Sequence, residues 1–167
     1  MSRRSKARNS KARSSTAKTG ARRTAAPAAT FPPQAADAEC PCGFGKPYEE
    51  CCRPFHTATA PAPATAELLM RSRYSAFAVA DTAYLLRSWH SSTRPALLAL
   101  DPEQRWLRLE VLGSGEGGPF HLAGTVEFRA HFSEGGEEGV LHENSRFIRE
   151  GGVWVYLDAL PDLPVPS

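Results

Sequence analysis

No run of apolar residues in this chain is long enough to cross a bilayer, and its N-terminal stretch has no hydrophobic region of the kind an export signal needs. A membrane-spanning class is set aside, and a cytoplasmic protein is expected. Acidic residues are missing altogether from positions 1–36, where nine Lys and Arg lie. All 18 Asp and Glu fall beyond that segment with the other 11 Lys and Arg, so a tail at +9 precedes a body at −7. Large apolar side chains are nearly absent from 1–36 as well. Such a segment cannot bury enough surface to offset its ordering entropy, so a disordered basic tail is expected. Tails of this kind contact RNA through phosphates; a solubilising extension is the alternative. Cysteine is scarce too: there are four, all between positions 40 and 52.

What the chain does contain is organised around that stretch, Cys40-Pro41-Cys42-Gly43-Phe44-Gly45-Lys46-Pro47-Tyr48-Glu49-Glu50-Cys51-Cys52. A C-x-C pair leaves and a C-C pair returns, which can place four sulfurs about 2.3 Å from one zinc ion. Gly43 and Gly45 permit the positive φ angles of a tight metal loop, and Pro41 and Pro47 stiffen it. Lys46 and backbone N–H groups can offset the negative charge of four thiolates. Metal ligands are thus Cys40, Cys42, Cys51 and Cys52, with Zn2+ as cofactor. Disulfides between the two pairs, or reactive thiols, are the other readings.

The same residues resemble the SEC-C motif, the zinc-binding element at the C-terminus of the SecA translocation ATPase and in other bacterial proteins. That motif usually has Ser or another small residue where this chain has Phe44. The resemblance implies a zinc knuckle over 37–53 that docks on a protein or ribonucleoprotein.

Residues 54–64 are rich in Pro, Ala and Thr and predict a linker, with His56 exposed in it. Thr65 can cap a helix through Ala78, with Met70, Tyr74, Phe77 and Ala78 on one face and Arg71 and Arg73 off it. Asp81 caps a second helix to about Trp89. Residues 96–100 can add an apolar turn, and Asp101-Pro102-Glu103 predicts another short helical start. The period then becomes two-fold. Residues 105–112 turn Leu107, Leu109 and Val111 to one side. After a turn at 113–119, residues 120–132 place Leu122, Val126, Phe128, Ala130 and Phe132 together. Strands at 140–149 and 153–157 follow, joined by Gly151-Gly152. Helices first and an antiparallel meander after give an α+β fold: helices packed on a curved four-stranded sheet that leaves a cone-shaped cavity. The C-terminal tail, 161–167, reads as irregular. No internal repeat is present.

Thr65-Ala66-Glu67-Leu68-Leu69-Met70-Arg71-Ser72-Arg73-Tyr74-Ser75-Ala76-Phe77 is similar to the signature of the bacterial YchJ-like family. Gly124-Thr125-Val126-Glu127-Phe128, His142-Glu143-Asn144-Ser145-Arg146-Phe147 and Trp154-Val155-Tyr156-Leu157-Asp158 agree in order and spacing. The resemblance covers 40–160. It implies a SEC-C motif followed, over 65–160, by a nuclear transport factor two-like (cystatin-like) cone. It implies little about activity.

Along the third strand, Leu141, Glu143, Ser145 and Phe147 face one way and His142, Asn144 and Arg146 the other. The two large apolar residues make the Glu143 face the buried one. A buried carboxylate needs a partner, and Arg71 and Arg73 are available. A structural ion pair and hydrogen-bond network closing the cone is the reading favoured for Glu143; the functional alternative makes it a general acid or base, assisted by Tyr74 or His142. Arg71, Arg73, Trp106, Glu127, Ser145, Trp154 and Tyr156 are candidates for a ligand pocket, the two last reading first as core aromatics packed on the helices. Two functions follow: a non-enzymatic adaptor docking through the knuckle, or a small-molecule binder, hydrolase or isomerase using the cone.

Overall fold

The structure, a computed structural model, describes residue 31 and residues 33–161. The expected disordered tail lies almost entirely outside the described residues, as does the chain from 162 onward. Ala36 already accepts a backbone bond from Glu49, so the knuckle begins at the edge of that tail.

Thr65 starts the body. Its hydroxyl accepts the Leu68 N–H at 3.1 Å and caps a helix over Ala66–Ala78, here α2 after a single turn, α1, at Arg53–His56. Glu67 sits in the first turn of α2, where the helix dipole favours a carboxylate. Asp81 repeats the device, accepting the Tyr84 N–H at 2.9 Å to open α3, Thr82–Arg87. No helix among the described residues is long and apolar enough to cross a membrane.

The four strands, β1 at Arg105–Glu116, β2 at Ala123–Glu134, β3 at Glu137–Glu150 and β4 at Val153–Ala159, pair antiparallel in chain order. This is the expected meander with two shifts. β1 runs on to Glu116, so the turn falls at 117–122, and Phe120, expected in a strand, is 98% exposed; Leu122 is exposed with it. A bulge between Trp106 and Arg108 also breaks the expected alternation. It leaves Leu107 half exposed and sets Trp106 toward the helices beside Leu109 and Val111.

Residues 96–100 form no helical turn, and Asp101-Pro102-Glu103 is a plain turn. The Asp101 carboxylate accepts the Glu103 N–H at 2.8 Å, which satisfies that donor without a helix. The chain after α3 instead joins the sheet. His90 N–H donates to the Tyr156 carbonyl at 2.8 Å and Tyr156 N–H to the Ser88 carbonyl at 2.9 Å, bridging Trp89 to β4 in parallel.

The core between α2 and the sheet is Ala66, Leu69, Met70, Val126, Phe147 and Trp154. Each large side chain buried there stabilises by about 1.5–3 kcal/mol. Gly124 lets two chain segments meet: a Cβ at that position would fall 2.4 Å from the Gly117 Cα. The Gly117 carbonyl then accepts the Ala66 N–H at 2.9 Å and ties the start of α2 to the β1–β2 corner.

The segment 54–64 is less of a linker than its composition predicts. His56, expected in solvent, is only 6% exposed. It fills the space between the knuckle, α2 and α3.

Candidate functional site

The knuckle is a small hairpin. Cys40 N–H donates to the Lys46 carbonyl and Tyr48 N–H to the Ala38 carbonyl, both at 2.8 Å, with Glu39 bridged to Pro47. Gly43 and Gly45 take φ of +78° and +74°, as the loop requires. A 3-10 turn at Tyr48–Glu50 then delivers Cys51 and Cys52. The four Sγ atoms lie within 4.8 Å of one another. Cys42 and Cys51 sulfurs are 3.5 Å apart, Cys51 and Cys52 4.0 Å.

Four sulfurs each about 2.3 Å from one ion in a tetrahedron are spaced by about 3.8 Å. The gaps fit a shared ion and greatly exceed the roughly 2.05 Å of a disulfide. All four cysteines are free, so the paired-disulfide alternative does not hold in this structure. Hydrogen bonds from Cys42 and Cys52 hold the Cys40 thiol far below its ordinary value. Hydrogen bonds with Cys40 and Cys42 raise the Cys52 thiol, and burial pushes Cys51 up to about 12. Crowded sulfurs cannot all ionise alone; a cation held among them would supply the missing countercharge.

The hairpin is fastened to α2. Arg71 donates from Nη1 to the Cys42 carbonyl at 2.9 Å and from Nε to Glu67 at 3.0 Å, and its guanidinium lies 4.2 Å above the Phe44 ring centre. Cys40 Sγ is 3.4 Å from Ser75 Oγ. His56 Nδ1 lies 2.6 Å from the Tyr48 hydroxyl and Nε2 2.8 Å from the Ser72 carbonyl. A carbonyl only accepts, so Nε2 carries the proton and Nδ1 accepts from Tyr48. Burial lowers the His56 pKa and keeps the ring neutral.

The opposite side of α2 faces a cavity of about 400 Å³ between helix and sheet. Met70, Tyr74 and Phe77 line it from the helix, and Trp106, Phe128 and Tyr156 from the strands. Its polar groups are Glu143, Ser145, Arg73 and Gln104. Glu143 Oε1 accepts from Ser145 Oγ at 2.6 Å and from the Tyr156 hydroxyl at 3.1 Å. Burial, then the neighbouring Glu143 charge, raises the Tyr156 phenol pKa. Burial also raises that of Tyr74.

Arg73 is only 6% exposed. Its Nη1 donates to the Leu85 carbonyl at 2.8 Å and to Ser88 Oγ at 2.7 Å, and its guanidinium lies 4.8 Å from the Tyr156 ring centre. Burial brings its pKa down to about 10, which still leaves a cation at neutral pH.

Several expected roles are corrected by these positions. Glu143 forms no ion pair with Arg71 or Arg73; among the described residues no arginine nitrogen lies within 4.0 Å of its carboxylate. Residues 71 and 73 are about 200° apart around a helix, so only one of them can face the cone. Arg71 turns to the knuckle and is not a cavity residue. Glu127 and His142 pair with each other at 2.7 Å on the outer, exposed face of the sheet, away from Glu143. Trp154 is packed in the core, its Nε1 donating to the Ala64 carbonyl at 3.0 Å, and does not line the cavity. Tyr74, Arg73, Trp106, Ser145, Tyr156 and Glu143 are brought together around the cavity.

Sequence reasoning missed His56, Ser72 and Ser75 at the seam between knuckle and helix, Trp89 at the cavity, and Ser88 as the buried partner of Arg73. The three-residue spacing of Ser72 and Ser75, which marks a polar strip on α2, was the available signal.

A profile of the family described as YchJ, middle NTF2-like domain, matches residues 65–159. A UPF0225 protein of Streptomyces avermitilis is 57% identical over 121 residues, covering 72% of this chain and 83% of its own. One of Ralstonia nicotianae is 49% identical over 139 residues, covering 76% and 94%. The solution structure of a SEC-C motif containing protein from Rhodopseudomonas palustris is similar at a TM-score of 0.62 and 37% identity, covering 74% of this chain and 98% of that one. The crystal structure of a SEC-C motif containing protein from Psychrobacter arcticus gives 0.61 and 27%, covering 78% and 86%. With its cone matched along more than half of the chain and its cysteine knuckle placed ahead of it, the chain belongs to the YchJ-like family.

Proposed function

We propose that this is a small-molecule-binding protein whose knuckle holds zinc as a structural ion. The observation that carries the reading is Glu143: a carboxylate on the wall of a cavity of about 400 Å³, oriented by two hydroxyls and paired with no cation. The volume falls in the range of ligand pockets, about 300–1,000 Å³. The same oriented carboxylate is equipped to exchange a proton with a bound molecule, so hydrolase- or isomerase-like chemistry lies within this reading. Zinc is favoured at the knuckle because four thiolates at tetrahedral spacing suit a soft ion with no redox chemistry of its own.

Metal analysis of purified protein checks the ion, with one zinc per chain expected. Ligand-observed NMR with a mixture of small aromatic and polar compounds checks the cavity. Leu141 stands exposed at its rim, so Leu141→Trp narrows the entrance without disturbing the core. Signals from the wild type that weaken in that variant support the reading; equal signals, or none, overturn it.

One observation favours a second reading. Phe44 is 49% exposed on the knuckle under the Arg71 guanidinium, an arrangement suited to docking on a protein or ribonucleoprotein, with the basic tail adding RNA contact. If a Phe44→Ser variant that still holds metal retains every partner in a pull-down, docking through this ring is removed.

A further inference from the structure

Arg73 and Glu143 place opposite charges on the wall of one cavity without forming an ion pair. Arg73 spends a single nitrogen, Nη1, on both of its hydrogen bonds. Glu143 receives both of its donors on a single oxygen, Oε1. The other donors of the guanidinium, Nε and Nη2, and the other oxygen, Oε2, have no partner among the described residues. Both side chains line the cavity, and that is the space they share.

A charge in a low-dielectric site is costly unless a countercharge reaches it. Tyr156 stands between the two, donating to Glu143 and stacking on Arg73, and so holds them apart. Tyr74, Trp106 and Phe128 offer ring surface on the same wall.

We propose that the cavity takes a small zwitterion with a flat apolar body, an amino-acid-like molecule whose carboxylate meets Arg73 and whose ammonium meets Glu143. This rests on the small-molecule reading above and names its ligand class. A simple amine leaves Arg73 without a countercharge and adds repulsion. A simple carboxylate does the same at Glu143, and a neutral compound satisfies neither. Only a molecule with both groups compensates both walls, while its ring lies against the aromatics.

The test is calorimetric titration of intact, metal-loaded protein with two ring sizes. One series is phenylalanine, phenethylamine and 3-phenylpropionate; the other is tryptophan, tryptamine and indole-3-propionate. In at least one series the amino acid should bind about tenfold or more tighter than either singly charged analogue, the worth of one charged hydrogen bond. Glu143→Gln should abolish the advantage over the carboxylate, and Arg73→Met the advantage over the amine. Should Arg73→Met fail to fold, the wild-type series and Glu143→Gln decide. A singly charged analogue binding as tightly as the amino acid overturns the zwitterion and leaves the small-molecule reading standing. So does failure of all six compounds when the NMR mixture still gives signals. If neither experiment detects binding, both fall.

Discussion

The Nε2 proton of His56 is donated to the carbonyl of Ser72 across 2.8 Å, and with the Tyr48 hydroxyl on Nδ1 the ring joins the cysteine knuckle to the helix that walls the cavity. Ser72 is the residue whose own hydroxyl donates to Leu69 at 2.8 Å and meets the Tyr84 hydroxyl at 2.6 Å. A histidine in this position acts as a rivet between α1, α2 and α3, and the first prediction concerns its removal.

His56→Ala deletes two buried hydrogen bonds and leaves a void beside Tyr48 and Tyr84. The expected loss is about 2–4 kcal/mol, read from urea denaturation. Desolvation lowers the folded-state pKa of His56, against the opposing influence of Asp81, while Arg87 adds to the lowering. The unfolded chain therefore binds more protons than the folded one below about pH 6.5. Stability from this group is complete above that value and is lost as pH falls from it toward the lower folded value. The variant should lack this part of the acid slope; parallel slopes would refute the assignment.

Cys42→Ser removes a fully buried donor from the sulfur set. Metal content should drop from about one ion to well below half per chain. The melting temperature should fall by about 10 °C or more, since a structural ion binds only the folded state. Chelator treatment of the wild type should produce the same fall. A metal-free variant with an unchanged melting point would contradict a structural role.

Gly124→Ala drives a methyl group into the Gly117 backbone, where the nearest atom is 2.4 Å away. Backbone cannot swing aside as a side chain can. The expected cost is about 1–3 kcal/mol, as for overpacking elsewhere, with the tie from Gly117 to Ala66 loosened. Hydrogen exchange at the Ala66 amide should accelerate along with the global loss.

Tyr156→Phe keeps the ring beneath Arg73 and removes the donor to Glu143. A loss of about 1 kcal/mol is expected. Combined with Glu143→Gln in a double-mutant cycle, it should give a coupling energy of about 0.5–3 kcal/mol. Strict additivity would show that the hydroxyl and carboxylate do not communicate.

Much of this architecture was legible in the sequence because local signals carry it. Thr65 and Asp81 announce their helices through capping chemistry, and the two-fold alternation of β3 places Glu143 and Ser145 inward correctly. The cysteine spacing by itself confines four sulfurs to one small loop. What escaped was decided by contacts between distant segments. His56 sits in a Pro- and Ala-rich stretch whose composition reads as solvent-exposed; only the approach of Ser72, sixteen residues on, buries it. The bulge between Trp106 and Arg108 reassigns Trp106 and Leu107, and a bulge leaves no trace in an alternating pattern. Glu143 was expected to find an arginine because buried carboxylates commonly do. Two hydroxyls, from its own strand and from β4, took that place.

α2 turns Arg71 and Ser75 to the sulfur hairpin and Met70, Arg73 and Tyr74 to the cavity. It is thirteen residues long and carries no proline or glycine that would let one face yield before the other. An ion at the sulfurs and a ligand in the cavity would bear on the two sides of a single stiff beam, and by thermodynamic reciprocity whatever the one gave to the affinity of the other would be returned in equal measure.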